Sequence, residues 1–216
     1  MPTAIEEFDK ALREHEELYS VHLANAAREA LGRYYGLLLK WNDRLHLVAP
    51  CAPSEFATRH VLESLMLIRH LPANAHVTDI GSGAGLPIIP CLIAREDLEA
   101  TLIESAARKA VFLREILREV AGARARIVAK RFQEVARPDA RFITCRALDR
   151  FEPLVPELID WSPDGSTMLL FAGEALAKMI ETILTDVKME RIPNSERRFL
   201  VIAKNATRKP QSHKGH

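Results

Sequence analysis

The stretch Val77 to Pro90, VTDIGSGAGLPIIP, constrains the fold more than any other segment of the chain. A short β-branched run ends on three glycines at alternate positions, Gly81, Gly83 and Gly85, and Pro87 and Pro90 follow at once. Glycine reaches backbone conformations closed to other residues, and its missing Cβ lets the chain pass close to a ligand. A loop of this kind between a strand and a helix belongs to an open α/β sheet, where ligands sit beyond the carboxyl ends of the strands. The downstream pattern agrees. AHVTDIG, EATLIES (99–105), ARIVAK (125–130), RFITCRAL (141–148), STMLLFAG (166–173) and RRFLVIAKN (197–205) predict strands. Helical stretches lie between most of them: IIPCLIARE, AARKAVFLREILREVAG, FEPLVPELIDW and EALAKMIETILTDV. The second has an apolar stripe of Phe112, Leu113, Ile116, Leu117 and Val120, and Gly122 is its expected C-cap. Strands alternating with helices predict a parallel α/β sheet.

Before residue 75 the pattern is helical. Residues 3 to about 40 are expected to be helical, with Leu23, Ala27, Ala30, Leu31 and Tyr34 roughly on one face. A break is expected at Asn42-Asp43, and Ser54 is the expected N-cap of a second helix that stops at Pro72. The expected division is 1–72 as an N-terminal helical extension packed on the core, 73–206 as the core, and 207–216 as a disordered basic tail.

The 216 residues suit one domain of ordinary size. A formal net charge of +1 means that nucleic-acid binding would need a local basic patch. No membrane span or signal peptide is expected, which points to a cytoplasmic protein. The cysteines, Cys51, Cys91 and Cys145, form no CxxC pair. Neither a metal site nor a disulfide framework is therefore expected, and Cys91 and Cys145 read as small buried hydrophobes.

The glycine spacing is Asp-x-Gly-x-Gly-x-Gly from Asp79, not the Gly-x-Gly-x-x-Gly of dinucleotide folds. No lysine follows, so a phosphate-binding P-loop is excluded. Glu104 closes the second predicted strand, 23 residues after Gly81. From there a carboxylate can accept two hydrogen bonds from a ribose diol. Loop and acid together point to an adenosine-containing cofactor, and they fit S-adenosylmethionine at least as well as NAD.

KWNDRLHLVAP, RHVLESL, DIGSGAGLPIIP, TLIESAARKAVFLREI and FITCRALDRFEPLVP, in this order, resemble the bacterial small-subunit (16S) rRNA guanine-N7 methyltransferase family, also called glucose-inhibited division protein B. The resemblance covers roughly residues 37 to 204. It implies a class I S-adenosylmethionine-dependent methyltransferase, a Rossmann-like seven-stranded sheet with an N-terminal helical cap. The implied donor is S-adenosylmethionine, and the implied acceptor is a guanine in the decoding region of the 16S rRNA or small ribosomal subunit. Carried over by motif, the cofactor contacts are Gly81 and Leu86 in the loop, Phe132 and Gln133 in KRFQEV, and Arg146 in CRAL. Asp79, Gly83, Gly85 and Glu104 complete the candidate set. No catalytic base is nominated, because guanine N7 already carries a free lone pair. The chain is expected to act as a monomer.

The chain also departs from the family pattern. Ile88 stands where the loop would carry another glycine, and Phe171-Ala172-Gly173 ends the fifth strand without the usual lysine. Glu63-Ser64-Leu65 replaces Asp-Ser-Leu. These mark a divergent member. A methyltransferase acting on another RNA or a small molecule is the alternative enzyme, and a non-catalytic ribosome- or nucleotide-binding module is the alternative from another class. His60 and Ser64 share a helix face, either at the mouth of the site or in interior hydrogen bonds that lock the cap to the core. Arg33, Lys40, Arg44, Arg197 and Arg198 are candidate RNA contacts.

Overall fold

A computed structural model describes residues 2–120, 124–146 and 152–205. Gly122, the residues of CRAL beyond Arg146, and the tail 207–216 lie outside the described residues. Seven strands form one sheet: β1 His76–Ile80, β2 Glu99–Ile103, β3 Ala125–Val128, β4 Phe142–Cys145, β5 Thr167–Gly173, β6 Val187–Arg191 and β7 Arg198–Lys204. Their order is β3-β2-β1-β4-β5-β7-β6. The first five run parallel, and β7 is antiparallel to both β5 and β6. The order reverses between β1 and β4, so the crevice for a ligand lies at their carboxyl ends.

Alternation along the strands divides the core in two. Val77, Leu102 and Leu169 enter one cluster with the helices before β1, α5 (Ile88–Ala94) and α6 (Ala107–Val120). Ile80, Ile103, Ile143 and Leu170 face the other way, against α7 (Val155–Trp161) and α8 (Glu174–Ile183). Cys91 and Cys145 are both buried free thiols, as their apolar surroundings suggested.

The N-terminal helical stretch is not one helix. It divides into α1 (Ala4–His15), a 3-10 turn Glu16–Tyr19, and α2 (Asn25–Leu45). Ser20 adopts a left-handed conformation (φ 55°) that no helix continues through. α2 runs past Asn42-Asp43 to a left-handed cap at His46. The Asn42 amide explains the delay: it donates to Val48 O at 3.1 Å and accepts from Val48 N at 3.0 Å, clamping the following loop instead of breaking the helix. The next helical segment, 53–70, starts from Ala52 with Pro53 in its first turn, so Ser54 is not the cap. It combines α3 (Pro53–Glu55), a π-helix Phe56–Leu62, α4 (Glu63–Leu65) and a 3-10 turn Met66–His70. Phe8, Tyr35 and Phe56 stack in series, with ring centroids 4.6 and 4.8 Å apart, and tie α1, α2 and the π-helix together. β6, VKMER, was not expected. It is an edge strand whose residues are all half-buried or exposed, and it lacks an apolar signature.

Candidate active site

A cavity of about 780 Å³ opens where the sheet order reverses. Its wall includes Gly81, Ser82, Gly83, Ala84 and Leu86 after β1, Glu104 after β2, Phe132 and Gln133 after β3, and Arg146 after β4. His60 of the π-helix and the loop residues Leu47, Val48 and Ala49 close it from the helical cap. Its volume lies in the upper part of the roughly 300–1,000 Å³ range of small-ligand sites.

The glycine loop is held from two sides. Gly81 N–H donates to Ile103 O at 2.8 Å, and Gly83 N–H donates to Glu104 Oε2 at 2.8 Å. Both glycines have positive φ, 68° and 48°, which a side chain would strain. A Cβ at Gly81 would meet nothing within 4 Å, so the backbone there is open to an approaching group. From the cap, the buried Tyr34 hydroxyl donates to Ala84 O at 2.8 Å. Glu104 is 6% exposed, and its other oxygen accepts from Ala106 N at 2.7 Å. Each carboxylate oxygen keeps a second lone-pair direction with which to receive a diol. Phe132 packs edge-on to Trp161 at 5.6 Å, leaving part of its surface on the cavity. Gln133 also reaches the wall, but its amide donates to Glu157 at 3.1 Å.

Two of the candidate residues lie off the cavity wall. Gly85 is needed for packing, because a Cβ there would come within 2.3 Å of Ile89 Cδ1. Asp79 is fully buried under the loop, and neither carboxyl oxygen has a hydrogen-bond partner among the described residues. Burial, with the nearby charge of Glu104 adding to it, pushes its carboxyl up to about 8 despite Ser82, so it stands as a neutral acid at neutral pH. Ile88 opens α5 fully buried and with negative φ, so the β-branched side chain fits where the family pattern has glycine.

Arg146 borders the cavity but is committed to the cap. It donates to Arg59 O, to His60 O at 3.4 Å, to Ser64 Oγ at 3.2 Å and to Glu63 Oε2 at 3.0 Å. Its guanidinium also lies 5.1 Å from the Phe171 ring centre. Glu63 is 1% exposed, and its second oxygen accepts from Arg198 at 2.6 Å. One buried carboxylate therefore bridges β4, β7 and the helical cap. Arg198, an RNA-contact candidate from sequence, is spent on this bridge. Two of the carbonyls that Arg146 donates to, those of Arg59 and His60, belong to the π-helix. Ser64 donates to His60 O, so its hydroxyl joins the same interior network. His60 both lines the cavity and carries a buried Nδ1 without a partner among the described residues. Burial first, then the charges of Arg146, Arg59 and Arg198, lower its basicity to about 3, so the ring is neutral. The Glu63 bridge was hidden in the sequence, because its partners lie 83 and 135 residues away.

The sheet order, the glycine loop after β1 and the carboxylate after β2 place the chain among class I S-adenosylmethionine-dependent methyltransferases. Solved structures share the fold: a cofactor-bound Rv0187 from MTB (TM-score 0.58, 12% identity, 83% of this chain and 91% of that one), and the tRNA (m1A58) methyltransferase TrmI from Aquifex aeolicus (TM-score 0.51, 13% identity, 69% and 68%). Within that class the chain belongs to the GidB family, described as rRNA small subunit methyltransferase G, whose model matches residues 27–206. Curated relatives called ribosomal RNA small subunit methyltransferase G include one from Paracoccus denitrificans, 39% identical over 66% of this chain and 75% of its own length. Another, from Xanthomonas oryzae pv. oryzae, is 33% identical over 87% and 92%. Among the described residues no helix is long and apolar enough to cross a membrane.

Proposed function

We propose that the chain transfers a methyl group from S-adenosylmethionine to N7 of a guanine in the decoding region of small-subunit rRNA. The observation that carries the reading is the distribution of the cavity wall across four adjacent strand ends. Phe132 and Glu104 come from the β3 and β2 side of the glycine loop, and Arg146 comes from the β4 side. Strands spaced about 4.8 Å apart give this row a span of roughly 14 Å, which suits an extended adenosyl ligand. Phe132 would cover the adenine, Glu104 would accept from the ribose diol, and the backbone at Gly81 would run beside the chain of the amino acid. Asp79 stays buried beneath the loop as a neutral acid.

When bound, S-adenosylmethionine supplies an electrophilic methyl group on a sulfonium. Guanine N7 is a lone-pair nucleophile in the neutral base, so no proton has to leave before attack. The chain's task is alignment and exclusion of water. The Arg146–Glu63–Arg198 bridge fixes the β4 wall against the cap, and the neutral His60 offers a polar edge beside it. The target base must be unpaired or turned out of its stack to enter.

Mass mapping of small-subunit rRNA from a strain lacking the gene tests this reading. One N7-methylguanine in the decoding region is expected to disappear, and an unchanged map would reject the substrate. The lysine missing from Phe171-Ala172-Gly173 favours one alternative, a different RNA acceptor on the same cofactor site. In that case the lost methyl group would map elsewhere.

A further inference from the structure

We infer that Lys109, Lys130 and Arg131 form a phosphate-binding rim that holds the backbone of the RNA strand on the adenosine side of the cavity. The inference rests on the methyltransferase reading above. All three line the cavity, on the same side of the glycine loop as Glu104 and Phe132. None of the three side chains makes an ion pair or hydrogen bond with another described residue. Two basic side chains at β3 are engaged instead: Arg124 donates to the carbonyls of Leu92, Arg95 and Leu98, and Arg126 donates to Thr101. The acids close to the rim are engaged elsewhere. Glu104 holds the backbone of Gly83 and Ala106, Glu134 accepts from the backbone N–H of Arg131, and Glu157 accepts from Gln133.

The cofactor does not account for these cations. Its adenosine end bears no phosphate, and the whole molecule, with sulfonium, ammonium and carboxylate, is a net cation. Three positive side chains at that end oppose its binding. The start of α6 carries the same signature, with Arg108 and Lys109 in a first turn that has no acidic residue. The positive end of a helix dipole favours anions, so cations there carry a cost in the isolated chain. A polyanion laid across the rim removes the cost, and RNA is the polyanion that brings a base to this cavity.

The test compares the full chain with its K109Q/K130Q/R131Q variant. Affinity for S-adenosylmethionine is measured by calorimetry. Affinity for small ribosomal subunits or their naked rRNA is measured across a salt series. Cofactor affinity is expected to hold or to tighten. The slope of log K against log salt for RNA is expected to shrink by about two, as the loss of three phosphate contacts requires. An RNA slope equal to wild type overturns the inference, and so does a variant whose chief loss is cofactor affinity. The single variant K130Q, at an exposed position, is expected to give a smaller slope change of the same sign with the fold intact. A wild-type chain that neither binds nor methylates rRNA would overturn the functional reading as well. A wild type that does both, beside a variant with an unchanged slope, would overturn this surface alone.

Discussion

Two glycines of the loop carry different burdens, and substitution separates them. At Gly81 an added Cβ finds open space and the cost is backbone strain, about 1–2 kcal/mol for a left-handed residue. At Gly85 the same strain is joined by a Cβ contact of 2.3 Å with Ile89 Cδ1. G85A is therefore expected to destabilise the fold more than G81A in urea titration, while position 81 is the one on the cavity wall. Equal losses would contradict this division. Asp79 supplies a second residue-scale prediction. The folded state keeps its proton up to about pH 8, whereas an unfolded aspartate releases it near 3.8, so stability falls as pH rises through that window. His60 works in the opposite sense. It is neutral in the fold down to about 3 and charges below 6.5 when unfolded, so its contribution is lost as pH drops from 6.5 towards 3. Above pH 6.5, of these two groups, Asp79 dominates. Urea titrations at pH 6.5 and 7.5 should show wild type losing about 1 kcal/mol and D79N gaining about 0.3 kcal/mol, the remainder of the His60 effect. A loss that survives in D79N would place the titrating group elsewhere.

At the scale of elements, the π-helix and the Glu63 bridge decide how firmly the cap closes the site. E63A would leave Arg146 and Arg198 facing each other without a counter-charge, a loss of about 3–5 kcal/mol for a buried pair. Guanidinium denaturation measures it, and a loss under about 1 kcal/mol would mean that the bridge contributes little. The interior hydrogen bonding of Ser64 was one of two readings of the sequence, but the π turn and the partners of Glu63 were not readable, and the reason is physical. β1, β2, β4, β5 and β7 were visible because central strands must be apolar and β-branched, and α6 because one face repeats every 3.6 residues. The left-handed Ser20, the π turn and the edge strand β6 leave no such periodic mark. In the site, Gly81, Gly83 and Glu104 were expected from their position after a strand and Phe132 through the resemblance, and all four lie on the cavity wall. Arg146 was legible as a cavity residue, but its commitment to Glu63 was not, since tertiary packing alone brings those residues together. Lys109, Lys130 and Arg131 drew no expectation from the sequence, because nothing local ties α6 to the loop after β3. Only the cavity shows that they share one rim.

For the whole molecule, the cap and the sheet act as one binding body, because Tyr34 of α2 holds the same loop that Glu104 holds from β2. Cofactor binding should therefore stabilise the entire fold. S-adenosylmethionine at a hundredfold excess over its Kd is expected to add about 2.7 kcal/mol and to raise the melting temperature by roughly 5–10 °C. NAD at the same concentration should leave it in place. No shift with S-adenosylmethionine would remove the cofactor from this cavity. The most direct test of the central claim is reconstitution with the purified chain, S-adenosylmethionine carrying a labelled methyl group, and small ribosomal subunits that lack the modification. Label is expected in N7-methylguanine at a single position of the decoding region. Label absent from the rRNA, or found on any other atom or nucleotide, would contradict it.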